Sequence, residues 1–134
     1  MTEEKTIQIE QAVVQIFNLD GWDLEWVGGM SYYDAKGFTP KGSPCVMEIK
    51  YRNKYYETKL IEVDKYVRLL DEDVVALYFV IDPKGNYLFW LNNLDKPEPD
   101  ELRCPATTMW KQDWKDKQVY LLNEKDASII NYNF

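Results

Sequence analysis

The hydrophobic residues of positions 3–18 recur at three- and four-residue steps. They are Ile7, Ile9, Val13, Val14, Ile16 and Phe17. This spacing predicts an amphipathic helix that Asp20-Gly21 would end. Positions 22–27 then alternate large apolar with acidic residues, which is typical of a half-buried strand. Gly28-Gly29 indicates a turn, so residues 30–35 are predicted to return as an antiparallel strand.

The stretch 36–44 holds two glycines and two prolines and predicts a loop. Residues 44–51 follow as a strand. One face of this strand would carry Met47, Ile49 and Tyr51, and the other Val46, Glu48 and Lys50. After a polar turn near Asn53, apolar residues at helical spacing predict a helix over 60–70 that ends at an acidic run, 71–73.

A β-hairpin is the clearest local prediction. The apolar runs 74–81 and 87–91 flank the turn sequence Asp82-Pro83-Lys84-Gly85-Asn86. Residues 92–106 contain three prolines and several acids, so an exposed excursion is expected there.

The C-terminal quarter is predicted to hold small elements only. Met109-Trp110 and Trp114 are spaced for one helical turn, 119–122 for a short strand, and the aromatic end 132–134 for packing onto the body. Taken together, the order of elements predicts an α/β fold. We expect an αβββαβ core, a central mixed four- to five-stranded sheet flanked by helices, and an aromatic C-terminal tail.

Composition limits the possible chemistry. A chain of 134 residues with 46% hydrophobic residues suits one domain. There is no histidine, which excludes Ser-His-Asp and Cys-His catalysis and histidine-based metal sites. Cys45 and Cys104 form no CxxC pair, so buried free thiols are expected. Since no run approaches the roughly 20 apolar residues of a membrane helix, we expect a soluble, cytoplasmic protein without membrane contact.

Charge is unevenly distributed along the chain. The net charge is −7, which argues against a general nucleic-acid coat. Between Asp34 and Arg68, however, eight basic residues stand against five acidic ones, so this segment carries +3 and the remainder −10. The protein could therefore bind a polyanion through this segment although it is acidic overall, particularly if a bound divalent cation adds positive charge.

Three charged residues carry the candidate chemistry. Asp34 lies near the end of one predicted strand, and Glu48 and Lys50 lie side by side on the next. If these strands are neighbours, the two carboxylates and the backbone carbonyl of Ile49 form an oxygen-rich, incomplete coordination sphere suited to Mg²⁺. Lys50 would then stand beside a metal-bound water and the phosphate.

This pattern, D-x13-E-I-K on adjacent strands with a helix after it, resembles the PD-(D/E)XK superfamily of metal-dependent nucleases. The resemblance covers roughly 3–91 and is strongest in 33–37 and 45–52. It implies a single restriction endonuclease-like domain over 1–134, with a core of about 3–91 and a C-terminal extension of 92–134. It also implies that Asp34, Glu48 and Lys50 are catalytic, with Mg²⁺ or Mn²⁺ held by Glu10, Asp34, Glu48 and the carbonyl of Ile49.

The resemblance also implies residues that would contact nucleic acid. They are Lys36, Arg52, Lys54 and Lys65. Lys65 occupies the helix after the motif strand, where members commonly place a polar residue toward the scissile phosphate. The alternative is that Lys65 belongs to an ordinary charged face of this helix. Tyr55 and Tyr56, next to Lys54, would either stack on bases or pack locally.

The function expected from this resemblance is hydrolysis of DNA phosphodiester bonds by a Mg-dependent endonuclease or exodeoxyribonuclease. The setting would be a bacterial or phage-infected cell. A homodimer is also expected, with the aromatic tail or the 74–91 hairpin at its interface. The rival hypothesis is a catalytically inactive nuclease-fold binding module, viral or from a mobile element, in which Asp34, Glu48 and Lys50 form an ordinary charge cluster.

Overall fold

The computed structural model describes residues 2–28, 31–95, 98–107 and 112–131, with the side chains of 101–116 left aside. The helices and strands follow one another as α1 Glu3–Leu19, β1 Asp23–Trp26, β2 Ala35–Phe38, β3 Pro44–Tyr51, β4 Thr58–Glu62, α2 Val63–Asp71, β5 Val75–Asp82, β6 Gly85–Trp90, β7 Asp100–Thr107, β8 Gln112–Asn123 and β9 Ser128–Ile129.

Helix α1 begins where its sequence supplies a cap. The hydroxyl of Thr2 accepts a hydrogen bond from the backbone amide of Lys5 at 3.2 Å, and two glutamates in the first turn favour the positive end of the helix dipole. Val13 and Phe17 are fully buried against the sheet. The helix predicted over 3–18 is thus confirmed.

A six-stranded mixed sheet forms the centre of the molecule, with the order β1-β2-β3-β5-β6-β9. Strands β1, β2 and β3 pair antiparallel, whereas β3 and β5 pair parallel, with Glu48 beside Tyr78. The parallel pair needs a crossover, and β4 with α2 provides it. The α/β fold with a mixed sheet is therefore confirmed, and the sheet has six strands where four to five were expected.

Each face of the sheet has its own core. One face packs against α1 and includes Phe17, Met47 and Ile49. The other packs against α2 and includes Val46 and Tyr66. Strand β3 therefore alternates between the two cores, as its sequence pattern predicted.

The structure also has a second sheet, ordered β4-β8-β7, that was not predicted from the sequence. Strand β4 pairs with the end of β8, and β7 pairs with the rest of β8 as a ribbon. The predicted helix over 60–70 is thus wrong at its start, because Leu60 and Ile61 belong to β4. The excursion expected over 92–106 is likewise wrong in part, since 100–107 forms β7.

Other boundaries also differ from the predictions. The return strand is not 30–35 but Ala35–Phe38, so the loop predicted over 36–44 shortens to a turn over 39–43. At Gly37 a Cβ atom would lie 1.9 Å from the carbonyl oxygen of Asp23, so only glycine allows β1 this close. Trp114 lies in β8 and not in a helical turn, whereas Met109-Trp110 and the tail 132–134 fall outside the described residues.

A buried lysine ties the second sheet to the first. Lys59 of β4 is 1% exposed, and its ammonium group lies 2.7 Å from the carboxylate of Asp82 and 3.5 Å from that of Glu124. It also donates to the carbonyl of Tyr56 and lies 4.1 Å from the ring centre of Tyr87. A buried cation with this many partners is satisfied, and it fixes β4 against the β5–β6 hairpin.

The hairpin predicted over 74–91 is confirmed as β5 and β6, and its role at a dimer interface stays a prediction. Nearly all its residues are buried within the central sheet. In the described part of the chain, neither helix has the length and apolar composition needed to cross a membrane.

Candidate active site

Asp34 lies at the edge of the central sheet, directly before β2. Its backbone amide donates to the carbonyl of Met47 at 2.9 Å, and its carbonyl accepts from the amide of Val27 at 2.9 Å. Its carboxylate oxygen Oδ2 accepts from the backbone amide of Ile49 at 2.8 Å. The aspartate was predicted at the end of a strand over 30–35. It instead precedes the next strand, and the same side chain still faces β3.

Glu48 and Lys50 project from β3 on the face that packs against α2, since they alternate with Ile49. The side chain of Glu48 is 13% exposed, and its Oε1 lies 3.3 Å from the ammonium group of Lys65 on α2. Lys65, predicted to reach the site from the helix after the motif strand, therefore does lie beside Glu48.

Glu10 reaches the same region from α1, on the opposite face of the sheet. It is a buried charged residue, and its Oε1 accepts from the indole nitrogen of Trp26 at 3.0 Å. Asp34, at the open edge, interacts electrostatically with both Glu10 and Glu48. Asp34 therefore lies between the other two predicted acids and interacts with each of them.

The three acids share one electrostatic property, a raised pKa. Burial is the largest cause in each case, and it raises the pKa of Glu48 to about 8, with the charge of Asp34 adding to the effect. For Asp34 the hydrogen bond from Ile49 works in the opposite direction without cancelling burial. Negative charge is thus costly in this cluster, and a bound cation would reduce that cost.

Lys50 has the opposite shift. Part of its surface is exposed, yet desolvation by the surrounding protein lowers the pKa of Lys50, and the positive charges of Arg52 and Lys65 lower it further. A lysine with a lowered pKa exchanges its proton more readily near neutral pH, which suits a group that assists proton transfer.

The donor set fits a hard divalent cation chemically, because it consists of carboxylate oxygens and, from the strand, a carbonyl oxygen. The amide of Ile49 faces Asp34, and in a strand the carbonyl of a residue points to the same side as its amide, so the Ile49 carbonyl faces this edge too. Each contact described above engages one oxygen of each acid. Among the residues described, however, no three acidic or thiol side chains are preassembled as a metal-binding group.

The predicted nucleic-acid contacts are distributed over different surfaces. Arg52 and Lys65 line a pocket of about 150 Å³ together with Glu48 and Lys50. Lys36 instead lines a larger groove of about 430 Å³ that is bounded by β1, β2 and β3 and contains none of the three acids. Lys54 is exposed on the loop after β3.

Of the two tyrosines beside Lys54, Tyr55 packs locally. Its hydroxyl donates to Glu124 at 2.7 Å, and its ring lies 4.4 Å from the ammonium group of Lys59. The hydrogen bond with Glu124 raises the pKa of Tyr55 to about 12. Stacking on bases is therefore not available to Tyr55 in this conformation, whereas Tyr56 is 58% exposed.

Two residues near the site were not predicted from the sequence. Trp26, which binds Glu10, was recognised only as an apolar strand position, and the pairing depends on the packing of α1 against β1. Tyr78, whose hydroxyl donates to the carbonyl of Leu60 at 2.7 Å, lies in the middle of an apolar run with no local signal of a polar role. Cys45 is a buried free thiol, as expected, and burial raises its pKa to about 11.

Comparison with known proteins identifies the fold. No protein-family model matches the chain, and no curated protein matches it in sequence. Among solved structures, the chain is similar to Hjc of Archaeoglobus fulgidus, a Holliday junction resolvase from an archaeal hyperthermophile. The TM-score is 0.62 at 13% sequence identity, covering 94% of this chain and 92% of the resolvase chain. This likeness confirms the predicted restriction endonuclease-like fold.

Proposed function

We propose that the protein is a metal-dependent DNA nuclease that hydrolyses phosphodiester bonds, with Asp34, Glu48 and Lys50 as its catalytic residues. The observation that supports this most is the convergence of Glu10, Asp34 and Glu48 from three different elements, beside a lysine, on a nuclease fold. Acidic side chains are rarely placed this close together without a function, since each pair of like charges costs free energy.

The two catalytic carboxylates and Glu10 would hold Mg²⁺ or Mn²⁺, with the carbonyl of Ile49 as a further ligand. A divalent cation bound there would lower the pKa of a water and stabilise negative charge on a phosphate. The Ile49 amide holds Asp34 in position through the 2.8 Å hydrogen bond, and the indole of Trp26 does the same for Glu10.

Lys50 and Lys65 would act on the substrate. Lys50 projects beside Glu48 and would stabilise the charge that develops on the phosphate or take a proton from the attacking water. In the structure Lys65 forms an ion pair with Glu48. If a cation were bound to Glu48 instead, Lys65 would be released and could turn toward the phosphate. We also propose a homodimer, because a domain of this size offers limited contact with a DNA groove.

The experiment that tests the proposal uses a panel of labelled DNA. The panel contains single-stranded, duplex and flapped DNA. It also contains four-way junctions, because one similar solved structure is a Holliday junction resolvase. Each substrate is incubated with Mg²⁺, Mn²⁺ or EDTA. We expect cleavage of at least one substrate with either cation and none with EDTA. If no substrate is cleaved with either cation, the proposal is wrong.

The alternative is a nuclease-fold binding module without catalysis. One observation favours it, namely that within the described ranges no three acidic or thiol side chains are preassembled around a cation. This alternative predicts that the protein binds DNA or a partner protein with equal affinity in EDTA and in Mg²⁺, and that Asp34→Asn leaves this affinity unchanged.

A further inference from the structure

A small pocket lies next to Glu48, on the face of the sheet that packs against α2. Its volume is about 150 Å³. This space is large enough for a phosphate group with a few waters. Its cationic walls are Lys50 and Arg52 from the end of β3 and Lys65 from α2, and its other walls include Leu60 and Tyr78.

Arg52, which lines this pocket, is held in place by hydrogen bonds. Its Nη2 donates to the carbonyl of Leu60 at 3.1 Å, and its own backbone amide donates to the carbonyl of Ile81 at 2.9 Å. The same Leu60 carbonyl also accepts from Tyr78. The arginine is therefore held by the strands on both sides of it and cannot swing freely into solvent.

One buried donor of Arg52, its Nε atom, has no hydrogen-bond partner among the described residues. A buried donor without a partner costs about 1–3 kcal/mol, so such groups usually have a ligand or water to satisfy them. Arg52 lines the pocket, and the ligand that suits a guanidinium group there is one with a negatively charged oxygen.

The charges around the pocket favour the same ligand. Three cations line it against two acids, Glu48 and Glu62. Glu48 lies 3.3 Å from Lys65, whereas Glu62 lies 2.9 Å from Lys117, outside the pocket. Positive charge is therefore in excess around Arg52.

We propose that this pocket binds a phosphate group of the nucleic-acid strand other than the one that is hydrolysed, with Arg52 as its principal donor. The identity of the ligand rests on the proposed nuclease function, whereas anion binding by the pocket does not. A second phosphate held beside Glu48 and Lys50 would set the register of the strand relative to the catalytic residues.

The direct test is an NMR titration of the metal-free protein with inorganic phosphate in EDTA, observing the Nε–H signals of the arginines. EDTA is needed because phosphate would otherwise bind through a cation. We expect the Arg52 signal to shift in a saturable way and the Arg68 signal to stay in place. Arg68 is the internal control, since it lies on α2 with its guanidinium 4.4 Å from the ring of Tyr32. An unmoved Arg52 signal overturns the inference.

Variants give a second measurement. Arg52→Met should weaken phosphate binding at least about 10-fold, and Arg52→Lys, which keeps the charge but loses the Nε–H, by a smaller factor. Arg68→Met is the matched control and should bind as the wild type does. Equal affinity of the Arg52→Met and wild-type proteins overturns the inference, and so does an equal loss in Arg68→Met.

Short oligonucleotides with and without a 5′-phosphate identify the source of the phosphate. A preference for the phosphorylated strand that disappears in Arg52→Met assigns the pocket to a strand end. Equal binding of both strands, weakened in Arg52→Met, assigns it to an internal diester. Phosphate binding without any DNA cleavage would support anion binding by the pocket and contradict the nuclease function. Cleavage without phosphate binding would contradict only the proposed role of the pocket.

Discussion

The carboxylate of Asp34 accepts a hydrogen bond from the backbone amide of Ile49, with 2.8 Å between oxygen and nitrogen. This contact holds the aspartate at the edge of the sheet, where the start of β2 meets β3. From that position Asp34 interacts with Glu10 on one face of the sheet and with Glu48 on the other. The candidate site is thus built across the sheet edge and not on a single face.

Replacement of Lys50 tests its catalytic role. Lys50→Ala should lower the rate of DNA cleavage by about 10²–10⁴-fold, the range that general acid–base groups supply. Its melting temperature should stay close to that of the wild type, because Lys50 is exposed. Lys41→Ala, on the exposed turn after β2, is the matched control and should cleave normally. A Lys50→Ala protein that cleaves as fast as this control contradicts the role.

The metal-free protein should lose stability as the pH rises from 5 to 7.5. Burial raises the pKa of Glu48 to about 8 in the folded protein, whereas in the unfolded chain its pKa is near the ordinary value of 4.5. Between these values the folded state binds more protons than the unfolded state, so the free energy of unfolding falls with pH. One such group contributes at most about 1.4 kcal/mol per pH unit.

Urea denaturation in EDTA at several pH values measures this effect. Glu48→Gln removes the titrating group, so its stability should depend less on pH than that of the wild type and should exceed it at pH 7.5. Parallel pH profiles for the two proteins would show that Glu48 does not titrate in this range.

Tryptophan fluorescence should report on Glu10. The indole of Trp26 donates to the carboxylate of Glu10, so a cation that binds this carboxylate changes the surroundings of the indole. Titration with Mg²⁺, which does not itself quench fluorescence, should give a saturable change that disappears in Trp26→Phe. Glu10→Gln should weaken the binding by about 10-fold or more. A signal that survives in Trp26→Phe comes from another tryptophan and contradicts this assignment.

The lysine that connects the two sheets should matter for stability and not for chemistry. Lys59 and Asp82 are each 1% exposed, so Lys59→Met leaves a buried carboxylate without its cation. The expected loss is about 3–5 kcal/mol in the free energy of unfolding. Lys125→Met, at an exposed position on the loop after β8, is the control and should change stability by less than about 0.5 kcal/mol. Equal stability of the two variants would show that the buried pair is dispensable.

Local patterns predicted α1, β3 and the β5–β6 hairpin because each carries its own periodicity or turn residues. Strand β4 was missed because Leu60 and Ile61 continue the helical spacing of α2, and only pairing with β8, about 60 residues later in the chain, makes them a strand. The return strand was placed too early in the chain because β2, Ala-Lys-Gly-Phe, contains a lysine and the glycine that β1 requires, which together look like a loop.

In the candidate site, too, local patterns were predictable and long-range contacts were not. Glu48 and Lys50 were predictable because a strand places residues two apart on one face. The position of Asp34 relative to them was expected only if the two strands are neighbours, and the hydrogen bond with Ile49 gives it a physical basis. The partners of Glu10 and Arg52, namely Trp26 and the Leu60 carbonyl, depend on tertiary packing and carry no signal in the sequence.

The most direct test of the central claim is isothermal titration of the purified protein with Mn²⁺. If Glu10, Asp34 and Glu48 hold a cation, the wild type should bind Mn²⁺ saturably, and Asp34→Asn should weaken that binding by at least about 10-fold while remaining folded. A wild-type protein that binds no Mn²⁺, or an Asp34→Asn variant that binds it equally well, would contradict the claim.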